Sequence, residues 1–191
     1  AFRRREKAME HLSRFKAGLV IVQQCFLKNK KMDDVKKAAA QELLVKTSDS
    51  MIRTLSKKTP DRTELHGQVG AIFQFVQNNK EEIKGSEALK IFRFMKDVES
   101  ATENLIAIDT HRTPISLRAY CQIFIYVFPL IYTPALLHRL EHHSPDWIVY
   151  SLSMITGFIL ISLFNVQDEM EHPFDQHGLD DIKLEEFRFT R

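Results

Sequence analysis

Two long uncharged runs near the C-terminal end constrain this chain more than any other feature. Ala119–Leu137 holds 19 residues and Ile148–Phe164 holds 17, with no Asp, Glu, Lys or Arg in either. A membrane-spanning helix needs about 20 mostly apolar residues, within a range of roughly 17–25. The break between them, His138–Trp147, is too polar to remain in hydrocarbon. The two runs therefore read as a transmembrane helical hairpin over residues 113–164. A pair of core helices in a large soluble protein is the alternative, and uncharged runs of this length favour spans.

Averaged composition hides this segregation. Residues 1–110 carry 21 Lys/Arg and 15 Asp/Glu, net +6, and residues 111–191 carry 6 and 10, net −4. The overall +2 does not argue for nucleic acid, and no binding motif for one is present. The two cysteines are Cys25 and Cys121. Cys121 falls inside the first apolar run, so no disulfide framework is expected. Arg3-Arg4-Arg5 is not followed by an apolar run of signal-peptide type. The sequence begins at Ala1, consistent with a processed protein or part of a longer one.

Residues 1–112 read as a soluble helical body. Leu12, Phe15, Leu19, Val22 and Phe26 recur at spacings of 3 and 4, which marks one helix face. Lys28-Asn29-Lys30-Lys31 ends that helix, with cations at the negative end of its dipole. A second helix is expected from Asp33 or Asp34 to Lys57, with Leu44, Met51 and Leu55 in its apolar stripe. Thr59-Pro60-Asp61 reads as a cap followed by a proline at the first helical position. Leu65, Val69, Ile72 and Val76 give the third stripe, where Gly67 and Gly70 weaken the helix or admit a close neighbour. Asn78-Asn79 and Gly85 bracket a turn, Ser86 caps the fourth helix, and Ile91, Phe94, Val98, Ala101, Leu105 and Ile108 form its stripe. No stretch alternates with period 2 for long enough to make a strand. The fold class is all-α: a helical membrane protein with a soluble amphipathic helical region and a C-terminal transmembrane hairpin.

Thr113-Pro114 and Ser144-Pro145 open the two spans as cap-plus-proline starts. Pro129 and Pro134 lie inside the first and loosen or kink it, which membranes tolerate where neighbours satisfy the freed carbonyls. Ser153 and Gly157 form a small-xxx-small pair suited to close helix contact. Tyr120, Tyr132, Tyr150 and Trp147 are candidate interface anchors, and Tyr126 lies too deep for that role. An even span count puts both termini on one side. The basic body makes that side cytoplasmic, or its organellar equivalent, by the positive-inside rule.

Residues 165–191 form an acidic Pro-Phe segment and tail. Asp168, Glu169, Glu171, Asp175, Asp180, Asp181, Glu185 and Glu186 cluster there. Pro173 forces a turn, and Phe174 is the apolar anchor expected to hold the turn, with Glu169 and Glu171, against the helical body. The carboxylates do not have the spacing of a calcium loop. His138 and His142 lie four apart without an evident third zinc ligand. No metal or other cofactor is expected. Nucleophile-elbow, phosphate-loop, zinc-protease and dinucleotide signatures are absent, so no enzyme is expected.

Thr113-Pro114-Ile115-Ser116-Leu117-Arg118-Ala119-Tyr120, then Phe128-Pro129 in an apolar helix, a second apolar helix, and Glu169-Met170-Glu171-His172-Pro173-Phe174-Asp175 follow one another in order. Together with Asp180-Asp181-Ile182-Lys183-Leu184, this pattern over residues 113–187 resembles the bestrophin-like anion channels, the bacterial, plant and algal branches more than the animal one. Over residues 1–110 the resemblance is architectural. It implies a homopentameric channel in a lipid bilayer for chloride or related anions. Two departures stand out. Asp175 replaces the family's glycine after Pro-Phe, and Gln176-His177-Gly178-Leu179 interrupts the carboxylate run of the animal calcium clasp, so calcium gating is not expected. The family's pore neck comes from a membrane helix with no counterpart in this sequence. Either that helix lies outside the 191 residues, or the chain is a non-conducting two-span subunit of a larger membrane complex.

Overall fold

The computed structural model describes residues 2–56, 62–111, 114–140, 145–171, 173–175 and 181–190. Six long helices follow one another: α1 (Phe2–Lys28), α2 (Asp34–Ser56), α3 (Arg62–Asn78), α4 (Gly85–Thr110), α5 (Ile115–Leu140) and α6 (Asp146–Glu169). A short 3-10 turn, Leu184–Phe187, comes last, and the described residues contain no strand. The chain divides into two units, a hairpin unit (Arg112–Glu171) and a body of residues Phe2–His111 with His172–Arg191.

In the body, the 3,4-spaced residues of α1 are the core. Leu12, Phe15, Leu19, Val22 and Phe26 are all at most 2% exposed. They pack chiefly on α4, where Ile91, Val98 and Leu105 of the expected stripe are buried with Met95 while Phe94 and Ile108 are half-buried; Leu65, Val69, Ile72 and Val76 of α3, which packs mainly on α2, belong to the same core. α1 and α4 approach closely at Gly18, where a Cβ would stand 2.5 Å from Val98 Cγ2. Gly67 and Gly70, the glycines whose positions suggested a close neighbour, have nothing within 4 Å of a built Cβ. Ring contacts Phe26–Phe75 (5.7 Å, edge-on) and Phe73–Phe92 (5.5 Å, stacked) fill the α1–α3 and α3–α4 seams.

Helix ends depart from the sequence reading in three places, the first being Pro114, expected at the first helical position of α5 but lying just before that helix. Ser86 lies inside α4, whose N-cap is Lys84 with no side-chain hydrogen bond. Pro145, expected at the first helical position of α6, is instead its N-cap. Thr59-Pro60-Asp61, Thr113 and Ser144 lie outside the described residues. After α1, Asn29 is 7% exposed. Its Nδ2 donates to the Glu82 carbonyl at 3.1 Å and to Glu87 Oε2 at 3.3 Å, and its Oδ1 accepts the Lys31 amide at 2.9 Å. This residue, read as part of a basic helix end, is a buried polar staple between two turns.

The C-terminal segment completes the body. Phe174, Ile182, Leu184 and Phe189 are at most 3% exposed and belong to the same core as α1–α4. The Ile182 amide donates to the Pro173 carbonyl at 3.1 Å, and the Phe189 amide to Ser48 Oγ of α2 at 2.8 Å. Arg188 lies 3.2 Å from Asp49, and Lys16 Nζ donates to the Glu186 carbonyl at 2.8 Å. Ser48 explains the gap in the α2 stripe between Leu44 and Met51, because that core position caps the incoming strand of chain with a hydroxyl.

Candidate functional site: the seam of the helical hairpin

Helices α5 and α6 are each long and apolar enough to cross a membrane, over Ile115–Arg139 and Trp147–Glu169. They run antiparallel in one register, fixed at three levels. Gly157 faces Pro129, whose Cγ lies 3.9 Å from a Cβ built on the glycine. One turn away, the Thr133 and Ser153 hydroxyls meet, and Thr133 also donates to the Pro129 carbonyl at 2.7 Å. At the open end of the hairpin, Arg118 pairs with Asp168 and stands 3.9 Å from Glu171.

The physical logic is local. Small side chains at Ser153 and Gly157 let the two backbones approach, which is how membrane helices associate without a hydrophobic driving force. Ser153 is 9% exposed and Val149, one turn before it, is 1% exposed. The hydroxyl pair satisfies two polar groups that hydrocarbon would leave bare. Pro129 lies on this seam, so its ring is packed rather than exposed.

The remaining predicted residues scatter. Pro134 is exposed on another flank of α5. Glu169 is exposed, and the expectation that it packs down is corrected: the α6 carboxylate that finds a partner is Asp168, one residue earlier. Glu171 is 5% exposed. Pro173 and Phe174 are buried in the body, apart from the seam. Thr133, Val149 and the Arg118–Asp168 pair were not singled out by sequence. Outside the seam, α5 has a groove of about 430 Å³ on the flank carrying Phe124, Phe128 and Tyr132, where Phe124 meets Phe128 tilted at 5.4 Å and Phe128 stacks on Tyr132 at 5.2 Å.

Titratable chemistry is sparse. In the body, burial lowers the His11 pKa from its ordinary 6.5 and raises that of the Cys25 thiol. His66 stands between two α4 carboxylates, 3.5 Å from Glu99 and 3.3 Å from Glu103, on an open surface. Of the zinc pair weighed, His138 lies exposed in the last turns of α5 and His142 is outside the described residues, as are His172, His177 and Asp180 in the acidic tail.

No family model and no curated protein matches the chain. Solved structures do. A variant of a bacterial Bestrophin homolog from Klebsiella pneumoniae superposes with a TM-score of 0.82 at 13% identity, covering 97% of this chain and 76% of that one. A second variant of the same homolog gives 0.82 at 14% identity, with 97% and 75% covered. A structure described as a membrane protein variant gives 0.84 at 13% identity, with 96% and 74% covered. At such identity the likeness is one of fold, and the fold of this chain is bestrophin-like and all-α.

Proposed function

We propose that this chain is a subunit of a bestrophin-like anion channel, with α5 and α6 crossing a lipid bilayer and the helical body on the cytoplasmic side. The observation that carries the reading is the superposition over 96–97% of the chain, body and hairpin together. The residue pattern from Thr113 to Leu184 supports the same assignment independently of the coordinates. In this reading the homo-oligomer is a pentamer, as the resemblance implies, and chloride or a related anion is the permeant species. The net +6 of residues 1–110 raises the local anion concentration at the pore mouth in a salt-dependent way.

Neither span carries a charged side chain between Arg118 and Arg139 or between Asp146 and Asp168. Such a residue would mark an ion path. The narrow part of the pore is therefore assigned to a further apolar helix, with this hairpin packed outside it. The same absence of charge favours a second reading, a non-conducting two-span subunit of a larger membrane assembly. Chloride efflux from liposomes holding the full-length protein decides between them. Anion-selective efflux supports the channel, and its absence from correctly inserted protein supports the structural subunit. Planar-bilayer recording from residues 1–191 alone is expected to show no anion current. Topology is tested with a cysteine at Ser144 in sealed vesicles: labelling from the body's side overturns the orientation.

A further inference from the structure

A proline inside a helix removes the amide that the carbonyl four residues earlier would accept. In α5, Pro129 frees the Ile125 carbonyl and Pro134 frees that of Leu130. The two fall on different flanks. Pro129 packs on the seam with α6. Leu130 is 74% exposed and Pro134 is exposed, on a flank of α5 about 100° and 140° round the helix from Pro129. In water such a carbonyl is hydrated. In hydrocarbon it has no donor, and lipid tails that solvate the Leu130 and Ile131 side chains do nothing for it. An apolar face with one embedded acceptor fits a neighbouring helix that is apolar apart from one donor.

The register of the hairpin locates such a donor. Arg118 is level with Asp168, Pro129 with Gly157 and Thr133 with Ser153. The same step places Leu130 level with Thr156. Copies related by an axis along the membrane normal keep every residue at one depth, so the Leu130 carbonyl of one copy lies at the level of Thr156 in the next. Thr156 donates its hydroxyl to the Leu152 carbonyl at 2.8 Å. That carbonyl also receives the Thr156 amide in the helix ladder, so the hydroxyl can turn outward without leaving an orphan. Around Thr156 the exposed side chains are apolar: Ile155 at 55%, Phe158 at 70% and Ile159 at 50%.

We propose that the α5 face centred on Leu130 and Pro134 is covered by a second copy of this chain, whose Thr156 hydroxyl donates to the proline-freed Leu130 carbonyl. The proposal rests on the membrane-spanning reading above. The test uses the full-length protein in membranes with Cys25 and Cys121 replaced by alanine. Leu130→Cys with Thr156→Cys is expected to give a ladder of oxidised multimers, and Leu130→Cys with Met154→Cys is not. Thr156→Val is expected to weaken self-association in lipid by about three- to tenfold, the span of a single hydrogen bond between membrane helices. Pro134→Ala returns an amide to Leu130, so Thr156→Val in that background should change association little. Carbonate extraction is run in parallel. Protein released by carbonate overturns the membrane reading and this interface with it. Carbonate-resistant protein that gives no Leu130–Thr156 ladder, or in which Thr156→Val acts equally with and without Pro134, overturns the interface alone and leaves lipid, a different chain or the further apolar helix on that face.

Discussion

Replacing Phe174 with alanine tests whether the C-terminal segment is part of the body or a solvated tail. Phe174 is 1% exposed and shares its core with Leu12, Phe15 and Leu19. Truncating a buried Phe costs about 3–5 kcal/mol, the transfer of the ring plus the cavity left behind. The partners that remain are Ile182, Leu184 and Phe189, with two backbone hydrogen bonds. The Arg188–Asp49 pair is half exposed and adds at most about 1 kcal/mol. Loss of the Phe174 ring therefore removes a large part of what holds residues 173–175 and 181–190 in the body core. Every 1.4 kcal/mol is a factor of ten in an equilibrium, so local opening should become roughly 10²-fold more frequent or greater.

The assay is native-state hydrogen exchange of the full-length protein, read at two amides. Ile182 reports the bond to the Pro173 carbonyl, and Phe189 reports the bond to Ser48 Oγ. In the parent both should be protected. In Phe174→Ala both should speed up together while the centre of α1 keeps its protection. Ser48→Ala serves as a local comparison, expected to release Phe189 far more than Ile182. Fast exchange at both amides in the parent, unchanged by Phe174→Ala, would refute the reasoning. Those residues would then be a solvated tail.

Three further outcomes are expected. Gly18→Ala should lower the melting temperature by a few degrees, because the new methyl meets Val98 at 2.5 Å and overpacking of about 1–3 kcal/mol outweighs the helix propensity gained. Adding Val98→Ala should then cost Gly18→Ala less than it costs the parent, a non-additivity that thermal unfolding of the two singles and the double measures. Asn29→Ala should destabilise the body by about 1–3 kcal/mol through the hydrogen bonds lost at a buried turn, checked by denaturant midpoint at constant slope. Burial depresses the His11 pKa, so the unfolded chain takes up a proton near 6.5 that the folded chain resists. Stability should fall as pH drops through 6.5, and His11→Gln should flatten that part of the unfolding profile.

Sequence legibility followed the contrast between faces. The body was readable because amphipathic helices announce which side is buried: all five α1 stripe residues are core. The same signal is silent where polar groups do core work. Asn29 and Ser48 are small polar residues, and each is buried to satisfy backbone or acidic groups that come from far along the chain. Nothing nearby in sequence shows that a turn 53 residues on, or an amide 141 residues on, needs a partner. Gly18 was hidden for a related reason: a glycine in a good helix is meaningful only once the opposing residue, Val98, is known.

In the hairpin the difficulty is different, since both helices are apolar all round and periodicity of hydropathy carries no face. Residue size still does. Ser153 and Gly157 marked the α6 side that approaches α5. That side can be extended along the helix by turns of 3.6 residues. Eleven residues beyond Gly157 is just over three full turns, which returns to Asp168. Glu169 is a further 100° round, and it is exposed while Asp168 pairs with Arg118. The family-like motif drew attention to Glu169 and Glu171, whereas helix geometry carried from the small-residue pair picks out Asp168. On α5, Pro129 and Thr133 face the seam, and Arg118 lies eleven residues before Pro129, again three turns. Equal spacing on antiparallel helices brings the two charges level, so the ion pair at the hairpin's open end follows from two intervals of eleven.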